Sequence, residues 1–147
     1  MKKYAMVFDA GTGAGRCNLF DMSGRLVSYA YREWEYLKDL SSSNKEAMLF
    51  DAEQFKKILF SLCRKVITQA GISADEIVAV SATSQREGMV WLDRFGKEIY
   101  AAPSVDLRGE EAADILSGKE PFIKEITGLP VSGMFGLARS EERRVGK

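Results

Sequence analysis

The sequence predicts an α/β fold, in which a mixed sheet contains an antiparallel three-stranded meander and is flanked by helices. Three short apolar strand patterns, separated by glycine-containing turns, occupy the first 34 residues. A long amphipathic helix pattern follows, and a short β-branched run comes directly after it. Such a run is suited to a buried strand that lies parallel to the first strand. These three observations predict one α/β domain.

The first elements follow from hydrophobic alternation. Residues 3–8 and 16–20 predict an antiparallel strand pair, and residues 25–34 predict a third strand after a turn at Gly24. Residues 38–48 show no periodicity and predict a solvent loop.

The central helix has recognisable ends. Asp51 and Gln54 form a capping-box pattern, and Gly71 is a helix stop. Between them, apolar residues recur at helical spacing on one face: Phe55, Ile58, Leu59, Leu62, Val66 and Ile67.

Residues 77–81 then predict the buried parallel strand. Residues 89–92 and 98–101 predict a hairpin that turns at 93–96. Asp106 is well placed to cap a helix over about 107–116, and residues 120–126 predict a short helix.

The turn between the first two strands carries groups suited to phosphate binding. Asp9 ends an apolar run, and Gly11, Thr12 and Gly13 precede Arg16 on the outgoing strand. Glycine lets backbone amides approach an anion closely, and a concavity of amides attracts phosphate. Thr12 adds a hydroxyl, Arg16 adds a positive charge, and Asp9 can hold Mg²⁺ through water. The pattern predicts a nucleotide-phosphate site on a loop longer than a tight turn requires.

A plain turn is the alternative, with Asp9 accepting hydrogen bonds from the amides that follow it. P-loop and Rossmann sites are excluded, because the glycines are followed neither by Gly-Lys-Ser/Thr nor directly by a helical pattern.

Asp9-Ala-Gly-Thr-Gly-Ala-Gly-Arg16, with Asp21 and Gly24 after the next strand, resembles the first phosphate hairpin of the FGGY carbohydrate kinases. The resemblance implies the ribonuclease H-like fold of the actin, Hsp70 and sugar kinase superfamily. It also implies ATP and Mg²⁺ as cofactors, with Asp9 acting with the metal and Thr12 and Arg16 near the transferred phosphate.

A second candidate site is Ser84-Gln85-Arg86-Glu87-Gly88, at the mouth of a predicted strand where ligands of α/β sheets collect. Glu87 can accept hydrogen bonds from hydroxyls and Arg86 can donate in a planar fork. The alternative is an exposed ion pair of little energetic value. The segment resembles the acceptor-binding segment of FGGY kinases, which implies that Gln85, Arg86 and Glu87 bind a small sugar or polyol-like substrate.

Asp106 and Arg108 resemble the Trp-x-Asp-x-Arg element of the same family, which adds Asp106 to the implied substrate site. Ser104 stands where that element has tryptophan, and this departure argues against glycerol. The three motifs together look most like those of autoinducer-2 kinases, so an autoinducer-2 type compound or a pentulose is the expected acceptor.

Composition narrows the function classes. Of the 147 residues, 21 are Lys or Arg and 21 are Asp or Glu, so no basic excess favours nucleic acid. No apolar stretch approaches the roughly 20 residues of a membrane span, and no signal peptide is recognisable, so a cytoplasmic protein is expected. Cys17 and Cys63 lack metal-ligand spacing and are expected to be reduced packing residues. The absence of histidine removes the commonest general base.

The final residues, 139–147, have no hydrophobic pattern and resemble the translation of a sequencing adapter; a natural charged tail is the alternative. Residues 1–138 are therefore expected to be the N-terminal part of the first kinase domain, and 139–147 a non-native tail without function. The resemblance places the catalytic aspartate base in a later segment, so the catalytic residue is unknown here and the fragment is expected to be inactive alone. An ATP-binding interaction module of the actin or Hsp70 type, a folded fragment without ligand, and a homodimer of the full-length protein all stay open.

Overall fold

The structure is a computed structural model that describes residues 3–145. These residues form two compact units. The first contains the described residues up to Glu35 together with Asp51–Gln85, and the second contains Tyr36–Phe50 together with the described residues from Arg86. In chain order, the strands are β1 (Tyr4–Ala10), β2 (Ala14–Asp21), β3 (Leu26–Glu33), β4 (Leu37–Lys38), β5 (Met48–Leu49), β6 (Ile77–Ser84), β7 (Met89–Leu92) and β8 (Glu98–Ala102). The α-helices are α1 (Ala52–Ala70), α2 (Glu110–Leu116), α3 (Glu120–Thr127) and α4 (Gly136–Val145).

The meander is present in the first unit. Its sheet has the order β3-β2-β1-β6, in which β1, β2 and β3 are antiparallel and β6 is parallel to β1. This arrangement confirms the predicted mixed sheet. The strands run further into the glycine segment than predicted, because Asp9 pairs with Arg16 and Ala10 with Gly15.

The loop between β1 and β2 is correspondingly short. It consists of residues 11–13, here called the phosphate loop, and the Gly11 amide closes it by donating to the Ala14 carbonyl at 3.0 Å. The loop is nevertheless one residue longer than the two-residue turn of a tight hairpin, as expected.

Helix α1 covers one face of the meander, against β2 and β3. Its start is as predicted, since the Asp51 carboxylate accepts from the Gln54 amide at 2.8 Å. Gly71 ends the helix with a left-handed φ of 64°. Four of the predicted apolar positions are buried: Phe55, Ile58, Leu62 and Val66. Met6, Cys17 and Leu19 of the strands are buried as well, so the core of this unit lies between the helix and the sheet.

Strand β6 is parallel to β1, as predicted, but it is not a buried strand. It lies at the edge of the sheet, and all but its first residue are exposed. Within the described residues, β1 is its only neighbouring strand. The β-branched run therefore predicted the strand type correctly and its burial incorrectly, because burial depends on what packs over a strand.

The second unit contains two hairpins and three helices. Strands β7 and β8 pair antiparallel as predicted. The stretch predicted to be a solvent loop instead has paired ends, since β4 pairs with β5, and Ala47 is buried. The Phe50 amide donates to the Ala101 carbonyl, which joins this stretch to β8.

Two of the helices in this unit differ in how well they were predicted. Helix α3 has Pro121 in its first turn and ends at Gly128, in agreement with the short helix expected there. Helix α2 begins at Glu110 with Gly109 as its N-cap residue. The predicted cap at Asp106 was wrong, because the Asp106 side chain is occupied by other partners.

Helix α4 extends over part of the segment expected to be a non-native tail, and its Arg139 is buried. Burial does not reveal the origin of these residues, so the non-native tail stays a prediction. Gly146 and Lys147 lie outside the described residues. No helix in the described part of the chain has the length and apolar character needed to cross a membrane.

Candidate functional site

The end of the β1–β2 hairpin brings the predicted phosphate-binding residues together. Asp9 and Arg16 face each other across the two strands, and Arg16 Nη1 donates to Asp9 Oδ2 at 3.2 Å. The Arg16 side chain is 57% exposed and the Asp9 side chain 27% exposed. Thr12 and Gly13 are exposed at the tip. The hairpin thus presents a cation, a carboxylate and loop backbone side by side.

The three glycines of this segment have different surroundings. At Gly13 a side chain would meet open space, whereas a Cβ at Gly15 would lie 2.5 Å from Trp34 Cζ3 and 3.0 Å from Leu59 Cδ2. Gly15 is therefore required by close packing underneath the hairpin. Trp34, which closes against it, is a residue that the sequence reasoning missed, because nothing local distinguishes it from the end of a strand.

Gln85 lies at the same edge of the sheet as the hairpin tip. Its backbone N–H donates to the Ala10 carbonyl at 2.8 Å and so extends the pairing of β6 with β1. Of the four residues predicted to bind the acceptor, Gln85 is the one in the first unit; Arg86, Glu87 and Asp106 are in the second unit.

Glu87 has a strained backbone. Its φ is 58°, and it is the one non-glycine residue with positive φ within residues 3–145. Left-handed backbone at such a residue costs energy and is often found at ligand sites. The Glu87 carbonyl accepts a hydrogen bond from Arg139 Nη2.

A cavity of about 210 Å³ lies next to Glu87. Its walls come mainly from the end of α3, the following segment and the start of α4, with Thr127, Ser132 and Phe135 among the lining residues. Glu87 is the only charged side chain among the lining residues that the structure describes. The predicted acceptor residue is therefore beside a space of a size suited to a small molecule.

Asp106 is the centre of a buried polar cluster. Its carboxylate is fully buried and accepts from the Tyr100 hydroxyl at 2.9 Å, from Arg108 Nε at 2.9 Å and from the Met48 amide at 3.0 Å. Arg108 also donates to Asp39 Oδ2 at 2.8 Å. The guanidinium of Arg139 approaches Asp106 to 3.9 Å. The cluster thus links Asp106 to Arg139, which also binds the Glu87 carbonyl.

Hydrogen bonding and burial in this cluster shift several pKa values. Hydrogen bonding from Ser41 and then from Arg108 lowers the pKa of Asp39, against the opposing effect of burial. Burial, followed by the nearby Asp106 carboxylate, raises the pKa of the Tyr100 hydroxyl above its usual range. Burial lowers the pKa of Arg139. The lowered pKa of Asp39 means that this carboxylate is held in its charged form beside Arg108.

The two cysteines lie outside both candidate sites. Cys17 is buried and Cys63 is half-buried, and both are free thiols. Burial, with a smaller contribution from Cys63, raises the pKa of Cys17 to about 12. Since the thiolate is the reactive form, Cys17 is a packing residue at neutral pH.

The hairpin has the groups that a Mg²⁺ ion bound to nucleotide phosphate requires. Within the described residues, no group of three or more His, Cys, Asp or Glu side chains could hold a metal ion by itself. A magnesium ion bound to phosphates needs only one or two protein carboxylates and keeps several waters. The single, partly exposed carboxylate of Asp9, beside the cation of Arg16, fits that role.

Comparison with known proteins identifies the family of the chain. The family model of the FGGY family of carbohydrate kinases, N-terminal domain, matches residues 4–139. An autoinducer-2 kinase of Yersinia enterocolitica is 39% identical over 107 residues, which cover 71% of this chain and 20% of that protein. The chain therefore spans about a fifth of the length of this curated relative.

Solved structures show the same fold. A xyloylose kinase from Brucella ovis superposes with a TM-score of 0.81 at 19% identity, over 91% of this chain and 27% of that one. Glycerol kinase from Plasmodium falciparum, solved with ADP, gives 0.77 at 21% identity, over 94% of this chain and 28% of that one. These neighbours have the ribonuclease H-like fold of the actin, Hsp70 and sugar kinase superfamily. Because the family model covers nearly the whole chain, this protein belongs to the FGGY family of carbohydrate kinases and corresponds to the N-terminal domain of that family.

Proposed function

We propose that this chain carries the nucleotide-phosphate segment and the acceptor segment of an ATP-dependent carbohydrate kinase. The acceptor is a small sugar or polyol-like molecule, either of the autoinducer-2 type or a pentulose. The observation that carries the proposal is the Asp9–Arg16 pair, which lies 3.2 Å apart beside an exposed glycine loop. The match to autoinducer-2 kinases supports the first acceptor class.

The residues of the hairpin have separate tasks in this proposal. Arg16 and the hydroxyl of Thr12 bind phosphate oxygens, while Gly11 and Gly13 let the backbone come close to them. Asp9 holds Mg²⁺ through water and also orients the Arg16 guanidinium by the hydrogen bond seen here. When bound, ATP with Mg²⁺ supplies the phosphoryl group and neutralises part of the charge that develops during transfer.

The acceptor is held by Gln85, Arg86 and Glu87. Arg86 donates to acceptor hydroxyls and Glu87 accepts from them. For Glu87, the support is its strained backbone and its place in the lining of a cavity whose other lining residues are mostly apolar. For Asp106 we propose an indirect role, because its carboxylate already accepts from Tyr100, Arg108 and the Met48 amide.

Calorimetric titration of the 147-residue chain with ATP–Mg²⁺ tests the phosphate site. We expect Arg16→Ala to weaken binding roughly 10- to 100-fold, since a charge-assisted hydrogen bond is lost. Arg25→Ala is the matched control, because Arg25 forms a similar exposed pair with Asp21 at 3.1 Å, at the other end of β2. Equal affinities of the two variants for ATP–Mg²⁺ would remove Arg16 from the phosphate site.

Two measurements test the acceptor side. In a complete kinase that includes this segment, Arg86→Ala is expected to raise the acceptor KM strongly, and an unchanged KM would remove Arg86 from the site. We further propose that the 147-residue chain alone transfers no labelled phosphate from ATP to dihydroxy-pentanedione or to xylulose, because the family resemblance places the aspartate base in a later segment. Acceptor-dependent transfer by this chain would contradict its proposed status as an inactive fragment.

A further inference from the structure

We propose that Trp34 is a positioning residue that sets the orientation of the phosphate loop, residues 11–13. The inference rests on the proposed function, since it gives a task to a residue behind the proposed phosphate site. It concerns a side chain that contributes no charge and does not need to touch the nucleotide.

Trp34 binds the loop through two hydrogen bonds. Its indole Nε1 donates to the Thr12 carbonyl at 3.1 Å. Its backbone amide donates to the Gly13 carbonyl, also at 3.1 Å. One residue after β3 therefore fixes the carbonyls of two consecutive loop residues.

These bonds determine where the loop presents its donors. In a trans peptide the C=O and N–H groups point in opposite directions, and no cis peptide occurs in the described chain. The Thr12 carbonyl faces the indole, so the N–H of the same peptide unit, which belongs to Gly13, is directed away from it. Gly13 is exposed, and a Cβ there would have no atom within 4 Å. The Gly13 amide is thereby offered to a ligand on the open side of the loop.

The indole itself is firmly held. Its ring stacks on Phe55 of α1, with ring centroids 4.0 Å apart and planes inclined by 15°. On the side of β2 it lies against Gly15, where a Cβ would be only 2.5 Å from Cζ3. Trp34 is 9% exposed. The loop is thus connected through Trp34 to the core of its own unit.

Tryptophan is suited to position 34 because it combines an aromatic ring that stacks on Phe55 with a side-chain N–H that donates a hydrogen bond. Phenylalanine would keep an aromatic ring for the stack on Phe55, but it has no side-chain N–H to donate to the Thr12 carbonyl. Trp34→Phe therefore removes the orienting hydrogen bond while keeping most of the packing. Trp91→Phe, at the other tryptophan of the chain, makes the same chemical change in β7.

The test is a heteronuclear NMR titration of the ¹⁵N-labelled 147-residue chain with tripolyphosphate–Mg²⁺ and, separately, with ATP–Mg²⁺. In the unmodified chain, the Gly13 amide is expected to show one of the largest shift changes. In Trp34→Phe, we expect the fitted Kd to rise roughly two- to tenfold, from the loss of one hydrogen bond. The shift change of Gly13 should shrink as well. Circular dichroism checks that each variant is folded, and Trp91→Phe should behave like the unmodified chain.

The outcomes separate this inference from the proposed function. One outcome in the unmodified chain is that tripolyphosphate–Mg²⁺ shifts the amide resonances of Thr12 and Arg16 and leaves that of Gly13 unchanged. In that case the positioning role of Trp34 is wrong, whether or not Trp34→Phe folds. Equal Kd values for the unmodified chain and folded Trp34→Phe would also overturn it, while the proposed phosphate site would stand. If no hairpin resonance responds to either probe in the unmodified chain, the phosphate site itself fails, and the role of Trp34 fails with it.

Discussion

At the scale of single residues, Asp106 shows how strongly context determines a role. Its sequence position suits a helix cap and, by family resemblance, a substrate contact. In the structure it is fully buried and accepts hydrogen bonds from Tyr100 and Arg108. A carboxylate in such a place is stable only with several donors around it. Asp106 is therefore held by the fold before any ligand is considered.

Gly15 provides the clearest prediction at this scale. Gly15→Ala should lower the free energy of unfolding by about 1 to 3 kcal/mol, because the new methyl group would overlap the Trp34 ring. Gly13→Ala is the matched control in the same hairpin, where open space should keep the change within roughly 0.5 kcal/mol. Urea denaturation of both variants measures the difference in the free energy of unfolding. Equal losses of stability would show that overlap with the Trp34 ring does not cause the destabilisation.

Asp39 predicts a pH dependence of stability. Its pKa is lowered in the folded chain by Ser41 and Arg108, so its contribution is complete above the unfolded pKa of about 3.9. The contribution is lost as the pH falls through the lower, folded pKa. Asp39→Asn should therefore destabilise the chain most at pH 7, and the difference should shrink on acidification below about pH 4.

Urea unfolding of the Asp39→Asn variant at pH 7 and in the acid range measures this effect. Asp75→Asn, at an exposed position in a 3₁₀ turn, is the control for the substitution itself. A gap between the Asp39→Asn variant and the unmodified chain that stays constant over this range would contradict the assignment.

At the scale of elements, the stretch from Tyr36 to Phe50 is held by polar contacts more than by regular structure. Strands β4 and β5 have only two residues each. The Asp106 cluster adds bonds at both ends of the stretch, from Arg108 to Asp39 and to the Met48 carbonyl. Arg108 and Asp106 are both buried. Removal of the charge on one of them therefore leaves the opposite charge on the other without its buried counter-ion.

Asp106→Ala is therefore expected to be strongly destabilising. Loss of the carboxylate leaves buried Arg108 and the Tyr100 hydroxyl short of an acceptor, at a cost of about 3 to 5 kcal/mol. Asp114→Ala, on the exposed side of α2, should have little effect by comparison. Thermal unfolding followed by circular dichroism compares the two, and similar melting temperatures would mean that the cluster does not stabilise the fold.

At the scale of the whole molecule, the described chain exposes many large apolar side chains. They include Val78, Val80, Phe122 and Ile126. The formal net charge is zero, so long-range repulsion does not oppose self-association. Val78 and Val80 alternate along the exposed strand β6, and exposed apolar side chains of this kind indicate a place where other protein surface packs or where copies associate.

We expect the folded chain to bind the apolar dye ANS and to self-associate at neutral pH. Val80→Lys should reduce both, because a lysine on an exposed strand edge prevents edge pairing and covers apolar surface. Leu40→Lys adds the same charge at a loop residue that is 93% exposed. Dye fluorescence and sedimentation velocity measure the two effects. If Leu40→Lys has as large an effect as Val80→Lys, net charge and not the β6 surface controls association.

Much of the architecture could be predicted because it depends on local chemistry. The hairpin follows from apolar runs on both sides of glycines, and α1 follows from Asp51, a 3.6-residue apolar period and Gly71. The parallel placement of β6 also agrees with its position after that helix. The residues of the predicted phosphate site all lie between positions 9 and 16, so a single hairpin contains them, and its strands pair Asp9 with Arg16.

The sequence by itself therefore determined the three-stranded meander with its glycine hairpin, helix α1, the parallel strand β6, the β7–β8 hairpin and, through its motifs, membership of the carbohydrate kinase family. Only the tertiary structure decided the burial of Asp106, the exposure of β6, the strained backbone of Glu87 and the packing of Trp34 under Gly15. The physical reason is the separation along the chain between the residues that interact. Helix caps, turns and apolar periods involve neighbours within a few residues, whereas burial and side-chain partners depend on segments that meet across 20 to 60 positions of the chain, as Trp34 does with Thr12 and Arg108 with Met48.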